Sequence, residues 1–204
     1  MSSRLLHVLL RHALPLVLLA LIIVAACRPQ LTPLLRWQRD MATSGEWYRL
    51  LSAHFVHANL RHTVANALAL IALWLLFGRA LSQRLWLLAT PICAVTISAL
   101  LFTTHVEWYV GFSGVLHGLL VLALCRDRRL RSAQRALLLG AVALKIAVEQ
   151  LLGSDSGDWL QIDVISDAHL FGALSGAAVA AALALRERRN GIADRRSADR
   201  PDSD

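Results

Sequence analysis

Ser113 and His169 are the two side chains whose types and places suit covalent chemistry. A serine hydroxyl is a weak nucleophile until an adjacent imidazole takes its proton, and that requires about 3 Å between heavy atoms. Ser113 opens an apolar run that ends at Cys125, before the charges of Arg126 and Asp127. As a helix that run rises roughly 20 Å at 1.5 Å per residue. The hydrocarbon of a bilayer is about 30 Å thick. The backbone ahead of Ser113 is therefore expected below the membrane surface, where non-helical chain needs protein or a water-filled cavity around it. Of the eight histidines, His169 matches Ser113 best, because it lies in the first turn of another apolar run that starts from the same side.

Both runs carry glycines four apart, Gly114 and Gly118 in one, Gly172 and Gly176 in the other. Such small-xxx-small pairs let helix backbones touch in a membrane, which the serine–histidine bond demands. No acid completes a triad: Asp167 is two residues from His169 and points elsewhere on the helix. The expected pair is a dyad.

Further polar groups fall at a similar level. His62 and Asn66 are four apart and share a helical face, so their N–H groups, with the backbone N–H of Ser113, suit an oxyanion. The competing reading is that they tie helices together. His117, one turn after Ser113, is expected to pack against His169 and not to act as a rival base. His54 and His57 are spaced for a metal, but no carboxylate or cysteine accompanies them. Lys145 and Glu149, four apart within an apolar run, are expected to pair with each other as a structural feature. The polar stretch from Gly153 to Asp167 is placed to act as a lid.

These residues need elements to hold them. Hydrophobic residues make up 56% of the 204, and this excludes an ordinary soluble domain. Six apolar segments are read, roughly Leu5–Cys27, Leu60–Phe77, Leu85–Phe102, Ser113–Cys125, Ala136–Leu152 and Ala168–Leu185. The first could be mistaken for a signal peptide, with Ala25-Ala26-Cys27 as a cleavage site, but it balances the topology and is kept as a span. Pro91 is expected to kink the third. The long connection from about Arg28 to Ala53 carries Trp37, Trp47 and Tyr48, residues suited to the membrane interface.

The net charge of +7 is distributed as a topology signal and not as a nucleic-acid patch. Arginines cluster at the N-terminus, between the second and third segments, between the fourth and fifth (Arg126, Arg128, Arg129, Arg131, Arg135), and in the tail. The opposite side holds Glu107, Asp155, Asp158, Asp163 and Asp167, and its only arginines are Arg28, Arg36, Arg39, Arg49 and Arg61, all in the long first loop or at its end. The positive-inside rule puts both termini in the cytoplasm and opens Ser113 to the outer side. The expected fold is all-α and polytopic, a membrane domain of six helices over residues 1–185, followed by a disordered charged cytoplasmic tail over 186–204. The three cysteines, Cys27, Cys93 and Cys125, have neither zinc nor disulfide spacing.

Taken together, three motifs resemble those of the rhomboid intramembrane serine proteases over about Trp47 to Leu185. Gly111-Phe112-Ser113-Gly114 resembles the GxSG nucleophile motif. Ala168-His169-Leu170-Phe171-Gly172 with Gly176 resembles the AHxxGxxxG base motif. His57, His62 and Asn66 resemble the second-helix pattern whose later histidine and asparagine help form the oxyanion hole. Tyr48-Arg49 stands where the family has tryptophan–arginine. Within the family the chain is most similar to rhombosortases, through Gly45 to Leu51, Tyr109 to Gly118 and Lys145 to Gln150. His117 departs from the tyrosine that commonly stacks on the catalytic histidine.

The resemblance implies a six-helix rhomboid-like bundle in the bacterial inner membrane, opening to the periplasm. It implies catalysis by Ser113 and His169, an oxyanion hole from His62, Asn66 and Ser113, and support from Gly111, Gly114, His117 and Gly172. Its implied substrates are single-pass proteins with Gly-Gly C-terminal tails, cleaved or transferred, with no cofactor, no metal and no nucleic acid. The rivals are a non-catalytic rhomboid-like binder of client helices and a polar-lined transporter or channel. The transporter is weakened because the polar groups cluster at one depth and trace no path across.

Overall fold

A computed structural model of the chain describes residues 3–152 and 159–198. It is built from helices, as the sequence requires. In order these are α1 (Ser3–Ala26), a short 3-10 turn (Pro29–Leu31), α2 (Thr32–Leu35), α3 (Arg39–Thr43), α4 (Arg49–Ser52), α5 (Leu60–Phe77), α6 (Gln83–Leu101), α7 (Ser113–Arg126), α8 (Ser132–Leu152) and α9 (Ser166–Ala198). Two strands of two residues each, β1 (Trp37–Gln38) and β2 (Trp108–Tyr109), pair antiparallel with Trp37 opposite Tyr109.

The long helices fall on the six expected apolar segments. α5, α6 and α9 are each long and apolar enough to cross a membrane. A fourth crossing is present if the pair His12–Ala26 and Pro29–Leu35, bent by 93°, counts as one span. α7 is the shorter apolar helix. α8 is long enough, but Gln134, Arg135, Lys145, Glu149 and Gln150 dilute its apolar character. The protein is thus an all-α, multi-pass membrane protein.

Local chemistry sets the helix ends. The Asn59 side chain accepts from the His62 N–H and caps α5. Ser82 does the same for α6 through Leu85 N–H. Pro91 sits inside α6 without breaking the assigned helix. At the far end of α6, the Arg39 guanidinium donates to the carbonyls of Leu101, Phe102, Thr104 and Val106. One planar side chain thereby gathers the carbonyls of a helix end and its following loop. The connection after α1 is secured the same way, with Arg49 donating to Pro33 and Arg36 carbonyls and pairing with Glu46 at 2.6 Å.

α7 lies at the centre of the bundle. Val115, Leu119, Leu122 and Ala123 are wholly buried, whereas α5 and α6 expose large apolar residues such as Leu68, Leu75, Leu87 and Leu88 outward. Such outward leucines suit a lipid-facing surface. α7 packs chiefly against α9 and also against α6, α5 and α8.

The last helix departs from the expectation. It continues from Leu185 to Ala198, over residues read as a disordered tail. Arginine, glutamate and alanine propagate a helix that is already nucleated by the apolar segment. An ion pair from Glu187 to Arg126, at 2.8 Å, ties the extension to the end of α7. Residues 199–204 lie outside the described residues. The expected lid falls partly outside them too, since residues 153–158 are not described.

Candidate active site

The site begins with a close approach of two backbones. On Gly172 a Cβ would overlap the Gly114 carbonyl, and on Gly176 the Gly118 carbonyl. In return, a Cβ on Gly114 would meet the Ala168 carbonyl at 2.7 Å, and one on Gly118 the Gly172 carbonyl at 2.7 Å. Backbone cannot yield as a flexible side chain can, so all four positions require glycine for α7 and α9 to lie this close. The first residue of α7 and the first turn of α9 consequently meet. Ser113 Oγ and His169 Nε2 are 2.9 Å apart, within hydrogen-bond range.

The turn into α7 is also shaped for this. Gly111 has φ +114°, a left-handed conformation that disfavours side chains. A Cβ there would fall 2.6 Å from the His62 ring. Gly111 N–H donates to the Ala53 carbonyl, and its own carbonyl accepts from the Tyr109 hydroxyl at 2.7 Å. No side chain caps α7. Its first N–H groups are those a helix leaves without intrahelical partners, and they carry the positive end of the dipole.

His117 stacks on His169, with ring centroids 4.3 Å apart and planes 23° from parallel. Its Nδ1 bonds to the Ser113 carbonyl at 2.8 Å, which directs it away from the Ser113 hydroxyl. His62 and Asn66 project from α5 toward the same place. The Asn66 amide donates one hydrogen to the His62 carbonyl, and the amide nitrogen has a second. His62 Nδ1 and Asn66 Oδ1 are buried with no hydrogen-bond partner among the described residues. Unpaired buried polar atoms are uncommon in folded proteins.

That cavity is about 400 Å³. Ser113, His169, His62, Asn66 and His117 line it on one side. Small residues of α5 (Ala65, Ala69), the segment from Val106 to Val110 and apolar residues of the loop before α9 (Leu160, Ile162, Val164) also line it. It has room for an extended segment of a few residues and is mostly apolar, with Glu107, Lys145, Glu149 and Asp163 also in its lining.

Two expectations change here. Glu149 was read as a structural partner of Lys145, and that contact exists, at 2.6 Å through Oε1. The other oxygen, Oε2, lies 2.8 Å from His169 Nδ1. The expected dyad therefore has a carboxylate on the far side of its imidazole. The local signal was present in the sequence, an ionisable residue amid apolar ones, which in a membrane helix marks function by default. What no local pattern gave was the rotation of α8 that aims it at α9. Asp167 is bound elsewhere, accepting from Gln150.

The metal reading of His54 and His57 finds no support in their placement. His54 is fully buried, with Nε2 on the Ala94 carbonyl and Ser98 Oγ. His57 packs edge-on to His62. Among the described residues no group of three or more histidine, cysteine or acidic side chains is arranged to hold a metal ion.

Among known families, the Rhomboid domain matches residues 44–186, which is more than half of the chain. No curated protein matches it.

Proposed function

The chain belongs to the rhomboid family, and from that premise we propose that it is an intramembrane serine protease acting through Ser113 and His169. One observation carries the reading: a serine hydroxyl 2.9 Å from an imidazole nitrogen, in a cavity among helices that form a membrane domain. The depth of the serine supports it. With the Arg126 end of α7 at one surface, Ser113 lies roughly 20 Å away at 1.5 Å per residue. That leaves it about 10 Å short of the other surface of a 30 Å hydrocarbon layer.

In this reading Ser113 Oγ attacks the scissile carbonyl while His169 Nε2 takes its proton. The C–N bond of the tetrahedral intermediate then breaks as His169 returns the proton to the leaving amine. Water, or another acceptor in a transfer reaction, releases the acyl group from Ser113. The developing oxyanion is held by the Ser113 N–H together with the His62 imidazole and the second Asn66 amide hydrogen, both residues lining the cavity from α5. The substrate peptide must leave its helix to be attacked, because helical peptide groups are shielded by their own hydrogen bonds. A Gly-Gly segment unwinds most readily.

The phrases shared with rhombosortases favour exported single-pass proteins with Gly-Gly C-terminal tails as substrates, cut at the outer edge of a bacterial inner membrane. The arginine-rich connections and tail favour cytoplasmic termini and a site opening to the periplasm. Purified protein in detergent is expected to cleave a single-pass Gly-Gly substrate, and Ser113→Ala is expected to abolish cleavage. Cleavage that survives the substitution overturns the mechanism. A wild-type protein that binds such helices and cuts none is a binder and not a protease.

A further inference from the structure

We propose that Glu149 is a positioning residue that fixes the tautomer and orientation of His169, so that the site works as a Ser113–His169–Glu149 relay and not as a dyad. This rests on the protease reading above and names a component it does not require.

The geometry is that of a chain of contacts across three helices. Ser113 Oγ on α7 is 2.9 Å from His169 Nε2 on α9, and His169 Nδ1 is 2.8 Å from Glu149 Oε2 on α8. Glu149 Oε1 accepts from Lys145 Nζ at 2.6 Å. Side-chain exposure falls along this chain, from 50% at Lys145 to 9% at Glu149 and 7% at His169. The carboxylate is thus shielded where it meets the imidazole, and its counter-charge, Lys145, lines the cavity.

An ionised carboxylate only accepts hydrogen bonds. The Glu149 contact therefore requires the hydrogen of a neutral imidazole to sit on Nδ1. Nε2 is then left with its lone pair toward Ser113, the one tautomer able to take the hydroxyl proton. When the proton arrives, the imidazolium forms beside a carboxylate already in place. The other groups around His169 do not supply this. His117 stacks on the ring face, and its Nδ1 is engaged by the Ser113 carbonyl. Asp167 on the same helix bonds to Gln150. Lys145 neutralises Glu149 four residues away, which offsets the cost of burying an acid.

A structural strut between α8 and α9 would look similar, so the test must separate the two. The probe is a purified single-pass substrate with a Gly-Gly segment, assayed for kcat and KM in detergent. A fluorophosphonate reports Ser113 reactivity independently of peptide binding. Wild type, Ser113→Ala, Glu149→Gln and Glu149→Asp are compared, with melting temperatures recorded. Replacing the acid of a serine–histidine–aspartate triad by its amide lowers kcat about 10⁴-fold. Glu149→Gln is expected to lower kcat and the labelling rate by about 10²-fold or more, with KM and melting temperature near wild type. Glu149→Asp keeps the charge and is expected to recover at least about tenfold over Glu149→Gln.

Wild-type kcat in Glu149→Gln, with cleavage lost in Ser113→Ala, overturns the relay and leaves the protease reading standing. A loss that follows the melting temperature, with aspartate no better than glutamine, also overturns the relay. Cleavage that persists in Ser113→Ala, or a wild type that neither cleaves nor labels, overturns the protease reading and the relay with it.

Discussion

At the scale of single residues, the proposed mechanism depends on an imidazole that must hold one plane and one tautomer. Two contacts constrain His169 beyond its bond to Ser113, the Glu149 carboxylate at one nitrogen and the His117 ring against its face. Aromatic stacking contributes about 0.5–1.5 kcal/mol beyond area burial, which corresponds to a factor of about ten in rate at most. The stack needs a flat ring and not a titratable one. His117→Phe is therefore expected to keep kcat within about threefold of wild type, and His117→Ala to lose about tenfold. Initial-rate measurements on the two variants check this. If His117→Phe is as inactive as His169→Ala, His117 is the base and the assignment is overturned.

At the scale of elements, the pairing of α7 with α9 is decided by four glycines whose missing Cβ atoms are replaced by the facing carbonyl oxygens. A methyl group there meets backbone, and only movement of a whole helix relieves the clash. Moving these helices apart by even an ångström takes Ser113 Oγ out of reach of His169 Nε2. Gly172→Ala is expected to reduce fluorophosphonate labelling of Ser113 and the melting temperature together, with a stability loss of about 1–3 kcal/mol from overpacking. Gly140, on α8, has nothing within 4 Å of an added Cβ, so Gly140→Ala serves as the control and is expected to be neutral or mildly stabilising. A Gly172→Ala protein that labels and melts as wild type would show that the helices are not held at contact distance.

At the scale of the whole molecule, the proposed orientation of the site rests on charge distribution and helix length. Asp127, at the end of α7, accepts from the Arg129 backbone and guanidinium, which holds its carboxyl below the usual carboxylate range. The same connection sends the Arg135 guanidinium to the Leu124 and Asp127 carbonyls. Arginine here both closes the helix end and marks the expected cytoplasmic side. In a background lacking Cys27, Cys93 and Cys125, an impermeant maleimide applied to intact cells is expected to label Glu107→Cys and to leave Arg189→Cys unlabelled until the membrane is opened. The reverse pattern would turn the molecule over and place Ser113 toward the cytoplasm.

Much of this was legible without coordinates because it is written in short-range signals. The apolar run from Ser113 ends at charged residues, so its length follows from the helical rise alone. His62 and Asn66, or Gly114 and Gly118, are four apart, and helical periodicity puts each pair on one face before any packing is known. Charges gathered on alternate connections support a proposed orientation by the same kind of local reading. The tail was read from its charged composition, which says little about a helix already growing from the span before it, and the last helix runs on to Ala198. What only the tertiary structure decided was the partner of Glu149. Within α8 its neighbour is Lys145, and the sequence shows only that pair. Whether its second oxygen faces lipid, solvent or an imidazole depends on the rotation of α8 about its axis and its distance from α9. Those are set by packing among α7, α8 and α9, a property of three helices at once that no spacing along one of them records.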